Sequence, residues 1–215
     1  MEDLPADEAE RVLAAGRRRR FRRGDHLFTE GDAPDGLHLI MDGCVAIRVS
    51  TEAGDRATID VVGPGDAIGE LALLLPEARR AATAVALEAV ETIVLSATSF
   101  AELRDRFPSV TDQLLSVLAR RNRTMDALLA DALYATAEMR VGRRLLDVSG
   151  RWSKGSGACV VPLTQDDLAG LAGTTRETVN RVLRTLSDDG TVHVERGRVR
   201  ILEPGALARR FGRSL

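Results

Sequence analysis

The sequence predicts an α+β chain in three parts: an N-terminal β-roll over residues 1–108, a long helix over 109–135, and a winged helix-turn-helix over 136–215. Three observations predict it. Glycines punctuate residues 24–95 at turn-like intervals between short apolar runs. Residues 109–135 hold no Gly or Pro, and their apolar positions follow a heptad. Two capped helical segments then meet at Gly173 and lead into a hairpin pattern.

The glycines fall at Gly24, Gly31, Gly36, Gly43, Gly54, Gly63, Gly65 and Gly69. Between them lie Leu37–Met41, Val45–Val49 and Thr58–Val62, and Ala84–Leu95 supplies the last strands. Short strands at regular spacing, bounded by turn residues, argue for an all-β roll or barrel. The arginines at positions 17–20, 22 and 23 could bind nucleic acid. They better suit the solvated edge of a first strand, where charge discourages unwanted pairing.

In the long helix, Leu115, Leu118, Asn122, Met125, Leu129 and Ala132 recur at alternating steps of three and four, continuing to Thr136 and Met139. That is a coiled-coil seam. A helix packed on its own domain would show the same period. The flanking charges Arg120, Arg121, Arg123, Asp126 and Asp131 narrow the apolar stripe toward a two-stranded seam, where Asn122 would fix register. The expected assembly is a homodimer. A hinge is expected near Tyr134–Thr136, after which Thr136 caps a helix running to about Arg151. Gly150 and the Ser153–Gly157 loop end it.

Thr164 caps a short helix with Gln165, Asp166 and Asp167 in its first turn, and Gly173 stops it. Thr175 caps a second helix from Arg176 to about Asp188, with Val179, Val182, Leu183 and Leu186 on one face. Gly190 stops that helix. Val192–Val194 and Val199–Ile201 flank Glu195-Arg196-Gly197-Arg198, a hairpin turn. This is a winged helix-turn-helix. Its second helix would enter the major groove with Thr174, Thr175, Arg176, Glu177, Asn180 and Arg181 at its head. Arg is suited to guanine O6 and N7, and Glu to cytosine N4. The competing explanation is a surface ion pair between Glu177 and Arg181. Thr164, Arg196 and Arg198 complete the expected DNA-facing set.

Charge agrees. Net charge is −2 for 215 residues. Residues 141–215 hold 13 Lys and Arg against 8 Asp and Glu, whereas residues 1–140 hold 17 against 24. A basic end on an acidic body suits a partner bound at that end. Apolar residues make 44% and charged residues 29%, which argues for a soluble globular chain. The longest apolar stretch, Leu71–Pro76, is too short to span a membrane, and residues 1–10 lack a signal-like apolar region. Cys44 and Cys159 are far apart and form no metal-ligand spacing. A reducing cytoplasm is expected. His26, His38 and His193 are scattered, and no nucleophile–base pair is legible, so enzyme activity is not expected.

The stretch TQDDLAGLAGTTRETVNRVLRTLSDDG resembles the helix-turn-helix of the cyclic-AMP receptor protein and fumarate–nitrate regulator (CRP/FNR) family. The resemblance extends from about Gly24 to Leu202. It implies that Arg176, Glu177 and Arg181 read a G-T-G-A half-site in pseudo-palindromic double-stranded DNA, and that RNA polymerase is a partner. IGELALLLPEARRAATAVA (Ile68–Ala86) resembles the phosphate-binding cassette of that family's cyclic-nucleotide-binding roll. Physical chemistry agrees with this. Gly69 lets backbone approach a phosphate, Glu70 offers a carboxylate to a ribose hydroxyl, and Arg80 supplies a forked cation. Arg79 competes for that role. Leu71 and Ala81 flank these residues; the bacterial receptor has Ser or Thr where Ala81 stands, while kinase regulatory subunits share R-A-A-T.

The receptor's adenine-facing Thr-Ser pair is replaced here by Met125 and Asp126. Met packs on a base but bonds it poorly. The resemblance thus implies an allosteric regulator set by cyclic AMP. The alternatives are a family member with another ligand or none, and a nucleotide-binding subunit acting on a protein partner. The helix-turn-helix argues against the last.

Overall fold

The structure is a computed structural model. It describes residues 5–50, 56–74, 79–153 and 157–212. Gly54 and the centre of the Ser153–Gly157 loop lie outside the described residues. The chain forms two compact units, Met1–Val49 with Val61–Asp126, and Ser50–Asp60 with Ala127–Leu215. The long helix contributes to both units.

The first unit begins with helix α1 (Ala6–Ala15), which the sequence reading did not anticipate. Strands β1 (Arg17–Phe21), β2 (His26–Phe28), β3 (Leu37–Asp42), β4 (Val45–Ser50), β5 (Arg56–Val62), β6 (Ala67–Ile68), β7 (Thr83–Ala86) and β8 (Val90–Leu95) follow, with the single-turn α2 (Leu71–Leu74) after β6. They form two four-stranded sheets, ordered β1-β8-β3-β6 and β2-β7-β4-β5. Phe21, Leu27, Ile40, Val45, Val62, Ile68, Ala84 and Val90 make one core. Leu37, Leu39, Ile93 and Leu95 make another, with Val12, Phe100, Leu103 and Val110.

Residues of β3 and β8 therefore alternate between two cores. Both faces are covered, so these strands read as continuous apolar runs. The second cover comes from α1, the unanticipated α3 (Ala97–Arg106) and the start of α4 (Pro108–Tyr134). Ser96 caps α3 by accepting from the Ser99 amide at 3.0 Å.

β1 explains the arginine run. It is an edge strand paired antiparallel to β8. Arg18 and Arg20 both pair with Glu91, and Arg19 pairs with Asp35 at 3.1 Å.

The second unit holds the end of α4, then α5 (Ala137–Ser149), β9 (Cys159–Val161), α6 (Gln165–Ala172), α7 (Arg176–Asp188), β10 (Val192–Glu195), β11 (Arg198–Ile201) and α8 (Pro204–Phe211). α5 stops at Ser149, short of the expected Arg151, with Gly150 as its cap. β9 adds a third strand to the hairpin, in the order β10-β11-β9. The core gathers Leu145, Leu168, Val179, Leu183, Leu186, Ile201 and Leu207. α8 contributes Phe211, whose ring passes so close to Gly142 that a Cβ there would lie 2.2 Å from it. Both cysteines are buried thiols outside any disulfide.

Candidate functional site

The expected ligand site lies in the first unit, where Gly69, Glu70 and Arg80 come together. Gly69 has φ +86°, and a Cβ on it would sit 2.0 Å from an Arg80 guanidinium nitrogen. Only glycine allows that approach. Arg80 is 3% exposed. Its Nη1 donates to Gly69 O at 3.0 Å, and its Nη2 to Gly36 O at 2.7 Å and Asp35 Oδ1 at 2.6 Å. The guanidinium carbon lies 4.2 Å from the centroid of the Phe28 ring. Its Nε is buried without a partner. A buried guanidinium donor left open in a glycine-lined cage is chemically fitted to an anion. Arg79, its rival in sequence, is exposed and donates to Gly31 O at 2.9 Å.

Asp35 was not singled out from the sequence. Burial alone would raise its carboxyl pKa, but the Arg80 hydrogen bond and the charges of His38 and Arg80 outweigh that and hold it below the usual value. His38 is fully buried beside it, with Nε2 3.6 Å from Asp35 Oδ1, and packs edge-on to Phe28. Burial pushes the His38 imidazole down to about 4, against the raising effect of Asp35. It is therefore neutral at ordinary pH.

Glu70 is 2% exposed, and its carboxylate takes an ion pair from Arg121 of α4. Arg121 Nη2 also donates to Ala67 O at 3.1 Å. The sequence reading treated Arg121 as a flanking charge of the seam, and this is a correction: it turns inward onto the carboxylate expected to meet a ribose. The Glu70 carboxylate is the buried partner of the pair, whereas the Arg121 side chain is 31% exposed. Met125 and Asp126, one turn further along α4, are exposed, as are Leu71 and Ala81. The structure thus gathers Gly69, Glu70 and Arg80 and leaves the other four expected residues at the surface.

Along α4 the heptad positions Leu115, Asn122, Met125, Leu129 and Ala132 are exposed, and Leu118 is half-buried. Leu115, Met125 and Leu129 are 58–60% exposed, an apolar stripe on the surface of a single chain. Asp131, also read as a flanking charge, is instead buried between Arg143 and Arg144. α4 ends at Tyr134 and Thr136 caps α5, accepting from the Met139 amide at 3.2 Å.

The helix-turn-helix is built by local caps. Thr164 and Asp167 exchange bonds in a capping box, and Gly173 closes α6 in the left-handed region. Thr175 caps α7. The buried stripe Val179, Val182, Leu183 and Leu186 turns the opposite face outward. Arg176, Glu177, Asn180 and Arg181 line a concave surface there together with Arg184, which the sequence reading passed over. Thr164, Thr175, Arg196 and Arg198 are also exposed, with Thr174 half-buried.

The Glu177 carboxyl is held below the usual value by its own backbone amide first and Thr175 next, then by the charge of Arg176. Arg176 lies 3.5 Å from Asp166. Asn180 donates to Gln165 at 3.3 Å, tying the two helices at their exposed ends. Arg198 pairs with Glu195 in the wing.

Among the described residues no group of three or more His, Cys, Asp or Glu side chains could hold a metal, and no helix is long and apolar enough to cross a membrane.

Comparison with known proteins identifies the family. The family described as a cyclic nucleotide-binding domain matches residues 18–107, and that described as a Crp-like helix-turn-helix domain matches residues 139–210. The chain is 34% identical over 204 residues to the cyclic AMP receptor protein of Thermus thermophilus, covering 95% of this chain and 92% of that one. It is 33% identical over 194 residues to the CRP-like cAMP-activated global transcriptional regulator of Mycobacterium tuberculosis, covering 88% and 86%. Among solved structures, the c-di-GMP responsive global regulator CLP of Xanthomonas campestris superposes with a TM-score of 0.77 at 24% identity, covering 93% of this chain and 99% of that one.

Proposed function

The chain belongs to the CRP/FNR family of transcription regulators, with a cyclic-nucleotide-binding domain and a DNA-binding helix-turn-helix, and from that premise we propose that it acts as a homodimer that reads a pseudo-palindromic DNA site under the control of cyclic AMP.

The observation that carries the effector is the unpartnered, buried Nε of Arg80 inside the cage of Gly69, Gly36 and Asp35. An anionic group with the cyclic phosphate's size and charge would satisfy that donor. Glu70 would take the ribose hydroxyl, sharing its carboxylate with Arg121. Arg121 belongs to α4, so ligand contact at Glu70 would be felt directly by the helix that carries the seam. In the dimer, Leu115, Leu118, Asn122, Met125, Leu129 and Ala132 would pair across a two-fold axis. Arg176, Glu177 and Arg181 would read base edges, with Thr164, Thr174, Thr175, Asn180, Arg196 and Arg198 placing the helix on the backbone. RNA polymerase is the expected protein partner.

A second reading keeps the same regulator and changes the effector. It is favoured by the exposed Met125 and Asp126, which offer a base little hydrogen bonding, and by the c-di-GMP response of the Xanthomonas relative. Calorimetry with cyclic AMP, cyclic GMP and cyclic di-GMP separates the two. Heat with cyclic AMP at micromolar protein, lost in Arg80→Ala, supports the first. Heat with cyclic di-GMP alone supports the second.

A further inference from the structure

We propose that Asp131 is a positioning residue for DNA reading: a buried carboxylate that, with three arginines of α5, fixes the end of α4 against the helix-turn-helix. The inference rests on the DNA-binding dimer proposed above and adds the device that sets the direction of its reading heads.

The last turn of α4 is exposed, with Leu133 65% and Tyr134 87% accessible, yet Asp131 just before them is 5% accessible. Its Oδ1 accepts from Arg143 and its Oδ2 from Arg144 at 2.8 Å. Arg144 reaches Asp147 at 3.0 Å as well. One turn earlier on α5, Arg140 donates to three carbonyls: Ala135 at 3.0 Å, just past α4, and Ala172 at 2.8 Å and Gly173 at 3.0 Å, at the turn between α6 and α7. Only Ala135 and Thr136 separate α4 from α5. Three consecutive structural points are therefore joined through one helix: the end of the seam helix, the short link, and the turn that launches the recognition helix.

Bond chemistry indicates what the cluster is for. A buried ion pair gains little net stability over apolar packing, because desolvation offsets the attraction. It does fix geometry, since two guanidinium groups on separate oxygens of one carboxylate allow a single arrangement. In a dimer joined along α4, that arrangement sets the separation of the two recognition helices. The spacing of half-sites on the DNA is the quantity it would control.

The test measures binding of full-length protein to duplexes carrying two G-T-G-A half-sites with the spacer altered by one and two base pairs either way, and to a single half-site. Wild type is expected to prefer one spacer by about tenfold or more, the range of a typical coupling between sites. Asp131→Asn is expected to flatten that preference to within about threefold, with single half-site affinity retained. Should Asp131→Asn fail to fold by circular dichroism, Arg140→Gln, which leaves no buried charge unpaired, decides in its place with the same expected flattening. A folded variant that keeps the wild-type spacer profile overturns the proposal, whatever its melting temperature. Wild type that binds no duplex specifically would instead overturn the DNA reading on which the proposal rests.

Discussion

Asp35 and Arg80 stand 45 residues apart in sequence and meet at 2.6 Å, with the Arg80 guanidinium buried and the Asp35 carboxylate half exposed. Asp35 and two carbonyls take three of the four Nη hydrogens, and the buried Nε has no partner, which leaves it for an incoming anion. Asp35→Asn should weaken cyclic-nucleotide binding by about five- to tenfold, roughly 1 kcal/mol, the lower end for a charge-assisted bond because the carboxylate is partly screened by water. Arg80→Ala should abolish binding and Arg79→Ala should leave it nearly intact. Calorimetry checks all three, and a reversal of the two arginine variants would move the phosphate role to Arg79.

His38 makes stability depend on acid. The folded imidazole titrates at about 4 because burial disfavours its charged form, while the unfolded chain takes a proton near 6.5. The contribution is therefore fully present above about pH 6.5, is lost as pH falls toward about 4, and changes no further below that. Its size is on the order of 3 kcal/mol. Urea unfolding between pH 7 and 4 should show this fall in wild type and a shallower one in His38→Gln. Parallel profiles would mean that His38 does not stay neutral in the fold.

The heptad positions of α4 can be tested without disturbing either unit, since Leu115 and Leu129 are more than half exposed. Leu115→Asp with Leu129→Asp should give a folded monomer by light scattering, with unchanged circular dichroism. A dimer that survives both changes would remove the seam from the account.

At the reading head, Arg181→Ala should cost about 1–3 kcal/mol of operator affinity and relax the preference at one base pair. Arg196→Ala, on the wing, should weaken binding alike for all sequences and lower the salt slope by about one. A uniform loss in Arg181→Ala would make that residue a phosphate anchor.

The helix-turn-helix was legible because its signals are local. Thr164 and Asp167, Gly173, and Thr175 each act within three residues of the helix end they define. α8 has a readable start in Pro204 and an i, i+4 pair in Leu207 and Phe211, but it follows the hairpin that completes the winged pattern. The β-roll was legible from its turns, though not the helices that cover its first sheet. The polar partners were not legible at all. Asp35 with Arg80, Arg121 with Glu70, and Asp131 with Arg143 and Arg144 join residues on different elements. Nothing in the spacing of charges along α4 distinguishes Arg121 and Asp131, which turn inward, from Arg123 and Asp126, which face solvent.

The central claim is that occupancy of the Arg80 site controls DNA reading, and fluorescence anisotropy of a labelled G-T-G-A palindrome tests it most directly. Saturating cyclic AMP should tighten binding by about 5- to 150-fold, and operator DNA should tighten cyclic-AMP binding by the same factor. Arg80→Ala should bind the palindrome like ligand-free wild type, with or without nucleotide. Operator affinity that is unchanged by cyclic AMP in the wild-type protein would contradict the account.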